Sequence, residues 1–295
     1  MPISPIPLYR VLLTVTAGIV AVSFAAIFIR WCEAPPLAIA FYRLLFASLL
    51  FWITGGARSW PELKKFSRSD WLLGAISGAA LALHFAAWIT SLSYTSVTSS
   101  VVLVSTSPII VALGAVFILH EPVRSWLYAG LLLAFTGAMI ITFDEAGRGS
   151  NSLLGNTLAA AGALFGGIYF LIGRLLRKRL ATLPYVTMCY SAAALFLCLG
   201  TQILAIPLRD YSWQTFGIFL LLALVPQMIG HTSFNWALKH LSAPAVSITL
   251  LGEPVGASVL SFLFFHEAPS LQTVLGGGLA LAGVAMAILS EVKKT

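Results

Sequence analysis

Long apolar runs separated by short polar stretches organise this chain. A helix crossing about 30 Å of hydrocarbon needs roughly 20 apolar residues. Ten such runs occur, at 9–30, 35–54, 71–92, 97–119, 125–143, 153–173, 184–206, 213–235, 243–265 and 270–290. None shows the two-residue alternation of a barrel strand, and lipid cannot satisfy an open backbone, so all ten are predicted to be helices. The first run is longer than the apolar core of a signal peptide and no clear cleavage site follows it, so it is read as a retained span. The expected fold is an all-α membrane protein of ten transmembrane helices.

Composition supports the pattern and removes alternatives. The chain is 59% hydrophobic and 9% charged, against roughly a quarter charged in soluble domains. The net charge of +7 suggests nucleic acid only until its distribution is read. With the N-terminus inside, thirteen Lys and Arg residues fall in inner loops, and three (Arg30, Arg148, Arg209) in outer ones. That is the positive-inside bias of membrane topology. It predicts a multi-pass protein of the cell inner membrane with both termini cytoplasmic, in contact with a lipid bilayer and not with nucleic acid. Arg43 is left over, inside span two. Cys32, Cys189 and Cys198 have neither metal-ligand spacing nor a disulfide framework, and no metal or cofactor is expected.

The second half of the chain repeats the first. At a shift of 146 residues, Leu92 matches Leu238, Ser96 matches Ser242 and Pro108 matches Pro254. At the same shift, His120-Glu121 matches His266-Glu267, and Gly130 and Gly137 match Gly276 and Gly283. The shift is 148 for Pro36 and Tyr42, on Pro184 and Tyr190, and 144 for Arg30 on Arg174. Five spans per half is an odd number, so the second half (149–295) is expected to be inverted in the membrane relative to the first (1–148). Inverted repeats are a recurrent transporter design with the substrate near the midplane.

The residues that repeat also resemble a known family. Trp88 through Val97, then Ser107-Pro108, His120-Glu121-Pro122, Gly130 and Gly137, resemble the EamA domain of the drug/metabolite transporter superfamily. The second copy is Trp236 through Ser242, Glu253-Pro254, His266-Glu267, Gly276 and Gly283, and Phe41-Tyr42-Arg43 also fits. The resemblance spans essentially the whole chain. It implies a ten-helix fold and export of metabolites or drugs, without fixing a substrate. In size and aromatic content the chain is similar to the YddG-type aromatic amino acid exporters.

Charges within spans are costly and usually functional. Glu253 lies near the middle of span nine, and its repeat mate is Ser107. Two roles are open to it: binding a substrate amine or carrying a proton, or a structural Glu-Pro pair satisfied by a neighbouring helix. Leu103 shares a helical face with Ser107, and Thr249 with Glu253. Arg43 is a candidate receiver of a substrate carboxylate, or a tie between helices. His84 and Trp88 share a face of span three, as do Gln227, His231 and Asn235 on span eight. These stripes belong on an aqueous path or against another helix. Trp88 suits stacking on a substrate or anchoring at the membrane interface. The hydroxyls of span four, Ser99 among them, suit close packing or cavity lining. Phe165 and Tyr169 on span six are candidates to wall a pocket. The glycines 276–278 are expected to give close helix contact, in a monomer or a weak homodimer.

No second histidine follows His120-Glu121 as in a zinc hydrolase, and neither a nucleophile elbow nor a P-loop occurs. Nothing resembles a channel filter. A phosphorylated substrate would want several span-internal cations. The expected function is export of amino acids, aromatic or other neutral ones, or of similar small metabolites. Alternating access would use a cavity lined by spans one, three, four, six, eight and nine. Efflux of toxic cations is the runner-up, and an intramembrane enzyme or channel the alternative of another class.

Overall fold

A computed structural model of the protein describes residues 7–95, 100, 103–121, 125–144, 153–266 and 270–292, and among them contains helices and no strand. The first half supplies α1 (Leu8–Trp31), α2 (Pro36–Leu63), α3 (Arg68–Ser91), α4 (Ser107–Phe117) and α5 (Ser125–Asp144). The second half supplies α6 (Leu153–Arg177) and α7 (Thr182–Ile203). Two interrupted helices follow. Helix α8 is regular over Trp213–Leu222, π-helical over Ala223–His231 and regular again over Thr232–Ala237. Helix α9 runs Ala243–Thr249, tightens to a 3₁₀ turn at Leu250–Gly252, and continues over Glu253–Phe265. Helix α10 is Leu271–Val292.

Seven of these helices, α1, α2, α3, α6, α7, α8 and α9, are long and apolar enough to cross a membrane. Ser107–Phe117, Ser125–Ile140 and Val274–Ser290 are shorter apolar helices. Helix α2 outruns its apolar stretch by nearly three turns. One face of the extension packs, with Ser59 and Leu63 buried and Gly55 against Leu183, while Arg58, Trp60 and Glu62 are exposed.

The packing is symmetric under exchange of the halves. Helix α5 packs on α10, α2 on α7 and α4 on α9, each against its own repeat mate. Helix α3 packs on α6 as α8 packs on α1, and α4 meets α6 as α9 meets α1. At the α5–α10 crossing the matched glycines meet one another. A Cβ on Gly130 would meet the Gly283 carbonyl, and one on Gly137 would land on the Gly276 carbonyl and the Ala280 amide. Rising numbers on one helix meet falling numbers on the other, so the two run antiparallel. Such backbone contact tolerates only small residues. Gly278, by contrast, has no described neighbour within 4 Å of a Cβ and Gly277 only the Val255 side chain, so of that triplet Gly276 makes the backbone contact.

The repeated histidines lie just past the ends of α4 and α9. His120 and His266 both adopt left-handed backbone, with φ 51° and 56°. This is the conformation glycine usually supplies where a helix stops. After His120 the Glu121 amide donates to the Ala115 carbonyl at 2.9 Å, and the Glu121 carboxylate takes Arg174 and Lys178 of the other half, each at 2.9 Å. Arg174 also donates to the Leu238 carbonyl at 2.6 Å, and Arg179 pairs with Asp70. Four loop regions thus meet at one basic end of the bundle. Burial raises the Glu121 carboxyl, but the Lys178 ammonium and the Arg174 guanidinium outweigh it and hold it below the usual carboxylate range. At the start of α2 the contacts are aromatic instead. Tyr42 stacks on Phe219 at 4.6 Å and donates to the Leu208 carbonyl at 2.6 Å.

Candidate functional site

Between the halves lies a cavity of about 110 Å³, the scale of the ~150 Å³ voids that accept a benzene ring. Helix α1 lines it with Val22, Ala25 and Ala26, α2 with Arg43, and α3 with His84, Phe85 and Trp88. Val104, Ser105, Ser107 and Pro108 come from the start of α4 and the residues before it, and Gly166, Tyr169 and Phe170 from α6. Helix α8 adds His231, and α9 adds Leu250, Leu251, Glu253, Pro254 and Ala257. The six expected spans are all represented, with α2 in addition.

Two opposite charges face this space. Arg43 is 1% exposed. Its Nε donates to Gln227 Oε1 at 2.8 Å, and its guanidinium lies 4.0 Å above the Phe85 ring. Among the described residues its Nη1 and the Gln227 Nε2 have no hydrogen-bond partner, nor have Trp88 Nε1 and His231 Nδ1. Unpaired buried polar atoms of this kind are costly and mark a site that a ligand can satisfy. Glu253 opens the last segment of α9 and is only partly buried. Among the described residues its carboxylate makes no hydrogen bond and no ion pair, and Arg43 is not in direct contact with it. The Glu253 main-chain carbonyl accepts from Ser23 Oγ at 3.3 Å.

The position of Gln227 has a cause in the sequence. Ser67 and Ser212 cap the starts of α3 and α8, each accepting from the third helical amide at 3.1 Å. Leu92 and Leu238 close the same two helices. The interval from cap to cap is one residue longer in α8, and the π-helical segment absorbs it. A π turn takes up one extra residue without breaking the helix, and such turns are frequent at functional sites. Gln227 sits in this segment, where α3 has Leu81 and Ala82.

Around the cavity, side chains are tied by hydrogen bonds. His84 Nδ1 bonds the Gly162 carbonyl at 2.8 Å. A carbonyl only accepts, so Nδ1 carries the proton and Nε2 of the neutral ring is an acceptor. The ring of His84 stacks at 6.3 Å on Trp88. Asn235 Nδ2 donates to the Tyr169 hydroxyl at 2.5 Å, the Tyr190 hydroxyl at 3.2 Å and the His231 carbonyl at 2.9 Å. Arg177, counted in the sequence as a loop charge, is 1% exposed and holds the Asn235 carbonyl at 2.8 Å.

Of the residues singled out from the sequence, Arg43, His84, Trp88, Ser107, Tyr169, His231 and Glu253 line the cavity. Gln227 and Asn235 stand behind it as partners of Arg43 and Tyr169. Phe165 and Leu103 are partly buried outside it, and Ser99 lies outside the described residues. Thr249 is fully buried and donates to the Val246 carbonyl at 2.6 Å. It does not share a face with Glu253, because the 3₁₀ turn between them winds three residues per turn instead of 3.6. The turn at Ser105-Thr106 breaks the helical register between Leu103 and Ser107 in the same way. Phe85 was missed. Its ring carries the Arg43 guanidinium and meets His231 edge-on at 5.3 Å, but a phenylalanine in an apolar run carries no signal.

Helices packed as two exchangeable halves around a mostly apolar cavity that holds polar groups of both define a membrane transport protein in class. The chain matches the EamA-like transporter family twice, over residues 9–143 and 153–289. It belongs to that family and is a multi-pass membrane protein. It is 28% identical, over 93% of its length and 95% of the relative's, to an uncharacterized transporter of Archaeoglobus fulgidus. Over 36% of its length, and 33% of the relative's, it is 36% identical to the uncharacterized inner membrane transporter YhbE of Escherichia coli. Over 62% of its length, and 61% of the relative's, it is 27% identical to a probable terminal-alkyne amino-acid exporter of Streptantibioticus cattleyicolor. A crystal structure superposes with a TM-score of 0.81 at 19% identity, covering 97% of this chain and 98% of the other, which shows the shared fold.

Proposed function

We propose that this transporter exports a small neutral or zwitterionic solute, an amino acid before other metabolites, by alternating access between two oppositely oriented halves. In this reading all ten helices cross the inner membrane, and the basic end of the bundle, with both termini, is cytoplasmic. The observation that carries it is the cavity, which is built by both repeats and lined by polar groups of both. The antiparallel α5–α10 crossing supports the inversion, and thirteen basic residues against three support the orientation. The name of the Streptantibioticus relative lends amino acids weight over other solutes. Efflux of a toxic cation is the second reading, favoured by the Glu253 carboxylate, unpaired among the described residues, in a mostly apolar wall.

Purified protein in liposomes, offered labelled phenylalanine, threonine and a cationic dye, tests the proposal. Flux of an amino acid above that of protein-free vesicles is expected. Carriage of the dye alone supports the second reading, and carriage of a phosphate ester with no amino acid sinks both.

A further inference from the structure

The two charges in the cavity have a property that neither has alone. Each belongs to a different half, and the repeat mate of each is a serine: Arg43 corresponds to Ser191 and Glu253 to Ser107. They face one space without touching. Opposite charges held apart in a low-dielectric interior are costly unless something polar bridges them. A cation bound at Glu253 would still face the guanidinium, and an anion bound at Arg43 would still face the carboxylate. A dipolar ion satisfies both ends.

The unpaired polar atoms are grouped to match. Among the described residues Arg43 Nη1 and Gln227 Nε2 are unpartnered, and they belong to side chains already bonded to each other, 1% and 0% exposed. Trp88 Nε1 and His231 Nδ1 lie on the same cavity, on residues 8% and 7% exposed. The phenyl ring under Arg43 and the bond from its Nε fix the plane of the fork, leaving the outer edge for a planar acceptor. We propose that the cavity is a dipolar site for the zwitterionic head of an α-amino acid. The carboxylate lies at Arg43, whose guanidinium Gln227 holds from behind, and the ammonium at Glu253. Gln227 is a positioning residue created by the extra residue of α8, which places an amide where α3 has only Leu81 and Ala82. The proposal rests on the reading that this cavity carries the solute.

Equilibrium binding to the purified full chain tests it, with labelled alanine, threonine and phenylalanine. Competitors are the corresponding amino-acid amides, which lack the carboxylate, and the deaminated acids, which lack the ammonium. At least one amino acid is expected to bind, with its amide and its deaminated acid each competing about tenfold or more weakly. Gln227→Leu is expected to shrink the gap between amino acid and amide, and Glu253→Gln the gap between amino acid and deaminated acid. A purely structural role for Gln227 would weaken all probes alike and overturn its assignment. An amide that competes as well as its amino acid, or no binding by any of the three, overturns the dipolar site. Flux through liposomes without this discrimination would sink the inference and leave the transport reading. Discrimination in binding without flux would do the reverse.

Discussion

The two halves are built on one plan and differ most at the cavity. On α2, Arg43 reaches into it. On α7, the matching Ser191 turns to the neighbouring helix, bonding Ser48 at 2.7 Å and accepting from Trp52 at 3.0 Å. Farther along, the halves trade volume. His84 of α3 packs on Gly166 of α6, while the equivalent Gly230 of α8 packs on Val22 of α1, the mate of Gly166. Phe85 and its mate His231 touch each other. Close-packed interiors tolerate little change in volume, so helix contacts diverged by compensated exchange. Charge facing a cavity is free of that constraint, and there the halves diverged in sign.

The shared plan breaks most completely at the glycine crossing. Gly137→Leu is expected to abolish the folded protein, a loss above ~3 kcal/mol, because its side chain would replace backbone of α10. Gly278→Ala should stay within about 0.5 kcal/mol of wild type. Retention on size exclusion after heating in detergent reads both. An unaffected Gly137→Leu would refute the crossing.

The volume exchange predicts a swap. Gly230→His alone should cost roughly 1–3 kcal/mol by overpacking Val22. Adding Val22→Gly should restore about half of the lost thermal stability. A double variant worse than the sum of its parts would show that the two contacts are not interchangeable.

Removing one of the two charge asymmetries should cost function rather than stability. Glu253→Ser, which copies Ser107, is expected to lower solute flux about tenfold, ~1.4 kcal/mol, with an unchanged or higher melting temperature, since the carboxylate has no protein partner. Full flux in this variant would mean that the asymmetry is unused.

The smallest effect concerns the tie at the basic end. The folded-state Glu121 carboxyl sits below its ordinary value. Its contribution is therefore complete above the unfolded pKa and lost as pH falls through the folded one. Glu121→Gln should lower stability by roughly 1 kcal/mol at pH 7. The difference from wild type should close as the pH drops below the carboxylate range. A difference that persists in acid would assign Glu121 a role other than charge.

By itself the sequence determined the helices, the repeat and the places of the span-internal charges. Apolar runs of membrane length, a matched Pro and His-Glu register, and two charges in apolar surroundings are all local signals. They report the solvent around each residue. Even the π insertion is written in the chain, as one extra position between Ser212 and Leu238, although it is readable only once the caps are known. The tertiary structure decided which polar residues meet. The 3₁₀ turn before Glu253 turned Thr249 away, the π turn brought Gln227 to Arg43, and packing drew Arg177 inward and Phe85 under a guanidinium. Each outcome depends on a fraction of a helical turn and on which helix lies alongside. Hydropathy along the chain carries neither.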